Sequence, residues 1–378
     1  MSNNFSVNAP LILFCYNRLE TLKKVISSLQ ADHQILNTDI YIFSDGPKNE
    51  SEFDNLKVEN VRDYLHSLKK FSKSVKIFEH KKNLGLANSI IYGINEVSAQ
   101  NESFIVLEDD LQVSPYFLTY MNKSLKKYAN EKRVWTVNGM GFNPRNFDVP
   151  KDYKYDTYFT YRNSSHGWGS WRDRWNKAIL DISVLQSEIS EINNQLDFNK
   201  GGSDLTPMLI NQIDGNIDSW SVRWGYTISK NNGICIAPIH SYVSLIFGEG
   251  THVKDYVEFL DNNLDLSKNI TTYPKEIDVM VEIARAAAKV FNNKIPLLLQ
   301  ENIEKKPYYK KYLKRKSLMD ENNESNSYFR NYLKKRKLKS TNNYLMKKVH
   351  RNENKWIRFI KAPLSNKLKI IYKKLLRN

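Results

Sequence analysis

The stretch SFIVLEDDLQVSPYFLTYMNKSL, Ser103 to Leu125, decides how this chain is read. Four apolar residues follow Ser103, and then three carboxylates arrive in a row: Glu108, Asp109 and Asp110. A short apolar run that stops at a turn signal reads as a strand buried on both faces. Pro115 to Tyr128 then reads as a helix. Adjacent carboxylates repel and raise one another's pKa, and a divalent cation relieves that repulsion. Hard oxygen donors suit Mg²⁺ or Mn²⁺, the usual way to hold a nucleoside diphosphate. The competing reading is a solvated acidic turn; the buried strand before it favours a site.

Upstream, the same alternation repeats. PLILFCYNR (Pro10 to Arg18) is a strand and turn, and Leu22, Val25, Ile26 and Leu29 then fall at helical spacing. DIYIFSDGPK is a second strand that ends at Ser44-Asp45-Gly46-Pro47. A charged helix over Phe53 to Phe71 follows, then the strand SVKIFEH (Ser74 to His80) and a helix from Asn83. RVWTVNGM (Arg133 to Met140) and Ile234 to Ala237 are further strands, and Lys275 to Phe291 reads as a helix. Apolar strands alternating with helices predict an α/β fold with a mostly parallel central sheet flanked by helices. Ligands of such sheets bind beyond the carboxyl ends of the strands. Asn17-Arg18, Asp45-Gly46 and Glu108-Asp109-Asp110 all follow strand ends and should converge.

The chain has 378 residues, 41% of them hydrophobic, enough for one large domain plus an appendage. Two cysteines, Cys15 and Cys235, exclude a disulfide scaffold and a zinc ribbon and fit a reducing compartment. The N-terminus lacks the features of a signal peptide, and no apolar run is long enough to span a bilayer. There is no Walker A loop, no G-x-G-x-x-G and no G-x-S-x-G elbow. The net charge of +16 is misleading as a whole-chain value. Residues 305–378 hold 24 Lys and Arg against 4 Asp and Glu, so the first 304 residues are slightly acidic. We therefore expect a catalytic domain over 1–304, with a nucleotide half near 9–140 and an acceptor half near 141–304, and a basic helical tail over 305–378.

PLILFCYNRLETLKKVISSL, IYIFSDGP, HKKNLGLANSIIYGI and FIVLEDDLQVSPYFLTYMNKSL resemble the successive blocks of GT-A glycosyltransferases. The pattern resembles family 2 enzymes of bacterial surface-polysaccharide clusters and, around EDDL, the Golgi N-acetylglucosaminyltransferases of family 13. The resemblance runs from about Ala9 to Lys254. It implies a Rossmann-like GT-A domain and metal-dependent, inverting transfer of a hexosyl or N-acetylhexosaminyl group from a nucleotide-sugar, a UDP-sugar, to a hydroxyl of a growing surface glycan. Tyr16, Asn17 and Arg18 would line the nucleotide site. Asp45 would accept a hydrogen bond from the base. Asn83 and Gly85 would lie against the nucleoside, Asp109 near the ribose, and Asp110 on the metal. Arg18 as a helix-start charge and Asp45-Gly46-Pro47 as a plain turn are the blander alternatives.

SSHGWGSWRDRW (Ser164 to Trp175) gathers three of the seven tryptophans with two glycines. Such a segment can form a platform for a sugar ring, or it can anchor a helix start. The resemblance implies that Glu108, Gly167, Trp168, Trp171 and Trp220 shape the donor and acceptor sugar sites. It also implies that Asp218, in GNIDSWSVRWGY, is the general base. Read alone, Asp218-Ser219-Trp220 is equally a helix N-cap. Asp204, Asp214 and Asp173 are the reserve bases. His252, in the loop SYVSLIFGEGTHVKD, would join the metal or lie at the surface, with Glu249 and Lys254 as weaker contacts.

Aromatic residues interleave with lysine and arginine in the tail, and Trp356, Ile357, Phe359, Ile360, Leu364, Leu368, Ile371 and Leu375 form an apolar side. A basic amphipathic helix of this kind lies on an anionic bilayer. This predicts a cytoplasmic enzyme, peripheral on the inner face of the cell membrane, acting on a glycan or lipid-linked glycan acceptor. Nucleic-acid binding and docking on a partner enzyme are the other readings of the tail. The other readings of the whole chain are a nucleotidyltransferase, which would need a glycine-rich loop after the first strand, and a non-catalytic binding protein.

Overall fold

The computed structural model describes residues 8–48, 52–142, 147, 149–246, 264, 266–267 and 271–291. Strand β1 (Leu11–Cys15) is buried throughout and pairs in parallel with β2 (Asp39–Ser44) and with β4 (Ser103–Glu108). Strand β3 (Ser74–Glu79) extends the sheet beyond β2, also in parallel. Along β1 the side chains alternate between two cores. Leu11 and Leu13 face one core with Ile40 and Ile42; Ile12 and Phe14 face the other with Phe43.

Helices cover both faces, as the apolar strands demand. On the first face lie α1 (Leu19–Gln30), with Leu22, Val25, Ile26 and Leu29 buried as predicted, α2 (Glu52–Ser67) and α4 (Phe117–Tyr128). On the second lies α3 (Leu86–Ser98), through Ile90, Ile94 and Val97. The mainly parallel sheet expected from the sequence is therefore present.

The far half of the sheet is mixed. The order is β3-β2-β1-β4-β8-β6-β9-β7. Strand β5 (Leu111–Val113) follows the carboxylates directly, and β6 (Val134–Asn138), β7 (Thr157–Thr160) and β8 (Trp168–Trp171) come later in the chain. Strand β8 inserts between β4 and β6, antiparallel to both. Strand β9 (Ile234–Pro238) is parallel to β6 and antiparallel to the edge strand β7. Strand β10 (Val243–Leu245) pairs with β5 in a separate ribbon that braces the turn after β4.

Six α-helices complete the described residues: α5 (Arg172–Trp175), α6 (Ile182–Ile189), α7 (Ile192–Phe198), α8 (Leu205–Ile213), α9 (Trp220–Lys230) and α10 (Val281–Phe291). The helix expected from Lys275 starts six residues late. Arg133 holds the approach, donating to Ile277 O at 2.9 Å and to Asp278 at 3.1 Å, while Asp278 accepts from Val279 N. None of the described helices is long and apolar enough to cross a membrane. Both cysteines are buried free thiols. The expected boundary at 304/305 and the whole basic tail lie outside the described residues.

Candidate active site

Because β1, β2 and β4 are parallel neighbours, their carboxyl ends lie side by side. Cys15 is level with Ser44, and Phe14 with Glu108. The residues that follow each strand therefore meet above the same sheet edge, as in other open α/β sheets.

Arg18 stands at the centre. Its Nη1 donates to Asp110 Oδ2 at 2.9 Å, and its Nη2 makes a short contact to Asp109 Oδ1. The other Asp109 oxygen accepts from Tyr16 N at 3.2 Å. Three carboxylates thus face one guanidinium. Burial pushes Glu108 up to about 8, with Asp110 and Asp109 adding to the shift and Arg18 opposing it. Burial also raises Asp109, to about 6, with Arg18 as the main opposing influence. Burial works against the charge on Arg18, but the two aspartates outweigh it and keep the guanidinium firmly protonated.

The donor set fits a divalent cation, since hard carboxylate oxygens outnumber the one guanidinium and Asp110 is the more open of Arg18's two partners. Among the described residues no three His, Cys, Asp or Glu side chains converge as metal ligands. A cation on Asp110 would complete its shell with phosphate and water. His252, Glu249 and Lys254 lie outside the described residues.

Tyr16 and Asn17 are fixed by a residue that sequence reasoning missed. Asp54, in the first turn of α2, accepts a short bond from Tyr16 Oη, one from Asn17 Nδ2 at 2.7 Å and one from Lys48 N at 2.6 Å. Burial would raise Asp54, but the Tyr16 and Asn17 bonds hold its carboxyl below the ordinary carboxylate range. Burial and the bond to Asp54 push the Tyr16 phenol well up. Only the negative charge in the first turn of a helix hinted at Asp54.

Asp45 braces the loop around it. It is buried, and its oxygens accept from Gly46 N, from Leu84 N at 2.9 Å and from Gly85 N at 3.1 Å. It ties the loop before α3 to the end of β2. Asn83 completes the tie by donating to Gly46 O at 2.8 Å. A Cβ on Gly46 would lie 2.4 Å from the Lys82 carbonyl carbon, so only glycine permits this approach. Gly85, at φ +76°, turns the chain into α3.

Asp218 comes to the same place from the far half of the chain. Its Oδ2 lies 4.0 Å from where a Cβ on Gly85 would stand. Ser219 provides the α9 cap, accepting from Val222 N at 3.3 Å, so the Asp218 carboxylate is left out of the cap. The Asp218 side chain is 58% exposed and accepts from Arg223 Nη2 at 3.1 Å. Burial holds the Arg223 pKa below its ordinary value, against the pull of Asp218.

The reserve bases are engaged elsewhere. Asp204 is buried in a two-pronged ion pair with Arg162, both contacts at 2.8 Å. Asp173 pairs with Lys132 and Arg174 beyond the C-terminal end of β8, the opposite edge of the sheet from the carboxylates. Asp214 closes α8.

The tryptophan platform is overturned. Trp168, Trp171 and Trp220 are 0%, 2% and 3% exposed. Trp168 stacks on Trp220 with centroids 5.0 Å apart, and Trp171 Nε1 donates to Leu125 O at 3.2 Å. These rings are core, and none offers a face to a sugar. Gly167, at φ +61°, packs where a Cβ would lie 2.6 Å from Val243. What this segment does deliver is His166. Val106 pairs with Trp168, and continuing that register sets His166 beside Glu108. Burial lowers the His166 pKa, with Asp110 opposing. The residue lay inside the SSHGW segment but drew no role from it.

Comparison with known proteins bears on this edge of the sheet. Residues 11–170 match the family model "Glycosyl transferase family 2". The match supports a glycosyltransferase over the stretch that supplies Tyr16, Arg18, Asp109 and Asp110. No curated protein matches the chain in sequence. Among solved structures it is similar to S. aureus TarS, at 11% identity and a TM-score of 0.38, covering 64% of this chain and 37% of that one. The chain thus spans little more than a third of TarS. It is also similar to a UDP-glucose pyrophosphorylase complexed with UDP-glucose, at 12% identity and a TM-score of 0.30, covering 61% of this chain and 90% of that one.

Proposed function

We propose that this protein is an inverting glycosyltransferase that moves a sugar from a nucleotide-sugar, a UDP-sugar, to a hydroxyl of a bacterial surface glycan. The observation that carries the reading is a coincidence of two kinds of information. The stretch that matches family 2 glycosyl transferases is the stretch whose strand ends gather Tyr16, Asn17, Arg18, Asp109 and Asp110.

Tyr16 and Asn17, braced by Asp54, form one wall for the nucleotide, and the Asn83–Gly85 loop, braced by Asp45, forms another. Asp109 would orient the ribose, and Asp110 would hold Mn²⁺ or Mg²⁺. A cation there supplies charge neutralisation to the departing diphosphate. Asp218 accepts the proton of the acceptor hydroxyl as its oxygen attacks the anomeric carbon and the bond to the diphosphate breaks. Arg223, buried behind Asp218, keeps that carboxylate oriented. The net +20 of residues 305–378 supports a position on an anionic membrane surface, where a lipid-linked acceptor would be found.

Calorimetric titration with UDP, TDP, GDP and CDP, with and without Mn²⁺, tests the reading on wild type and Asp110→Ala. Metal-dependent binding of one diphosphate, lost in the variant, is the expected result. Absence of binding under every condition would reject it.

A further inference from the structure

Arg18 has an odd position for a residue that only lines a nucleotide site. Its two terminal nitrogens go to two different carboxylates, and one of these, Asp110, is the candidate cation ligand. The guanidinium therefore already sits where a cation is wanted. The two carboxylates are not held alike. Asp109, 4% exposed, is gripped a second time by Tyr16 N. Asp110 is 19% exposed, and Arg18 is its side-chain hydrogen-bond partner. The Arg18 side chain is 28% exposed, so it has a way out. Its backbone has none: the Arg18 carbonyl accepts from Leu22 N at 3.1 Å and from Thr21 Oγ1 at 3.0 Å as α1 begins.

We propose that Arg18 is a removable counter-ion. In the free protein it neutralises Asp109 and Asp110, and it gives up Asp110 when a divalent cation and a nucleoside diphosphate arrive together. The reasoning is electrostatic. A cation arriving alone must share Asp110 with a guanidinium of like sign or break a charge-assisted bond. A diphosphate arriving alone meets two aspartates that share one guanidinium. Together, the diphosphate gives the displaced guanidinium an anionic partner and the cation takes over Asp110. Metal and nucleotide therefore bind with positive coupling, over and above their direct contact. The idea rests on the proposed nucleotide site, and the test separates the two.

Free Mn²⁺ is followed by its paramagnetic resonance signal during titration of the full chain. Wild type, Arg18→Gln and Arg18→Lys are compared, each with and without UDP, and melting curves check folding. Breaking one charge-assisted hydrogen bond corresponds to roughly tenfold in an equilibrium constant. Arg18→Gln should therefore bind Mn²⁺ about tenfold more tightly than wild type without nucleotide. UDP should then tighten Mn²⁺ binding much less in Arg18→Gln than in wild type. Arg18→Lys, which keeps the charge but cannot bridge both carboxylates, should fall between.

Equal or weaker Mn²⁺ binding by Arg18→Gln without nucleotide would overturn the counter-ion role, even if Mn²⁺ and UDP still bind wild type and the nucleotide site stands. Tighter Mn²⁺ binding by Arg18→Gln, with no UDP bound by any protein, would uphold Arg18 as the counter-ion of Asp110 but overturn its release by nucleotide, together with the nucleotide site. No Mn²⁺ binding by any of the three proteins overturns both.

Discussion

Replacing Asp54 by alanine should release the turn after β1 without unfolding the domain. Three donors converge on this carboxylate, from Tyr16, Asn17 and Lys48, so it links the end of β1, the segment after β2 and the start of α2. A hydrogen bond to a charged group contributes about 1.5–3 kcal/mol. Asp54 and its partners border solvent, which can replace part of each bond, so the lower figure applies to one bond and less to the others. A stability loss of about 1–2 kcal/mol follows. If Tyr16 and Asn17 line the nucleotide, the affinity for its diphosphate should fall further, by about ten- to fiftyfold, since the loosened wall must be re-ordered on binding. The pH dependence has a definite sign. The Asp54 pKa is lower in the folded protein than in the unfolded chain. Its stabilisation is therefore full above the unfolded carboxylate range and is lost as pH falls through the folded value. The deficit of Asp54→Ala should be present at pH 7 and shrink below about pH 4. Urea melts at both pH values and calorimetry with nucleoside diphosphates read these effects, and a double-mutant cycle with Tyr16→Phe isolates the shared bond. If Asp54→Ala folds and binds the diphosphate within about twofold of wild type, the braced turn is not a nucleotide wall.

Three further outcomes follow. Gly46→Ala forces a Cβ to within 2.4 Å of the Lys82 backbone and should cost about 2 kcal/mol or more, read as a lowered melting temperature. Asp32, buried and accepting from Gln34 N and Leu118 N, is pushed up to about 6 by burial. Folding then favours its protonated form, so its contribution falls as pH rises from about 4 to 6. Asp32→Asn should flatten that part of the stability profile while costing about 1 kcal/mol for a lost backbone acceptor, as chemical denaturation across pH would show. Asp218→Asn should lower kcat by about 10²- to 10⁴-fold while leaving diphosphate affinity unchanged; a change in affinity with kcat intact would argue against a base.

What was legible in the sequence was whatever local periodicity encodes. Ile12 and Leu13 in a fully apolar run, or Leu22, Val25, Ile26 and Leu29 on one helix face, carry their environment in their spacing. So does the edge where Arg18 and Asp109 meet, since parallel strands bring their ends together. The rest depends on distant partners. The bracing role of Asp45 was hidden because Leu84 and Gly85, from whose amides it accepts, lie about forty residues on in the chain. Strand β8 is four residues long, too short to show a period, and its neighbours β4 and β6 lie far upstream. Without that strand, Trp168 and Trp171 beside glycines look like a surface platform. With it, they are forced into the two faces of a central strand.

That strand also explains how two halves of a site can hold a fixed separation. Proton transfer and departure of a diphosphate must occur in one geometry, and misplacement by about an ångström is costly. Loops alone do not supply such precision. Here β8 is bonded to β4, whose end carries Glu108, Asp109 and Asp110. On the same strand Trp168 stacks at 19° on Trp220, the first residue of α9 and two residues after Asp218. Trp224, on the next turn of α9, reaches Thr136 on β6 through its Nε1 at 3.0 Å. Fused rings have few rotamers and large contact areas, so this stack transmits position with little play. The tryptophans that seemed to await a sugar instead set the distance between the carboxylates at the end of β4 and Asp218 before α9.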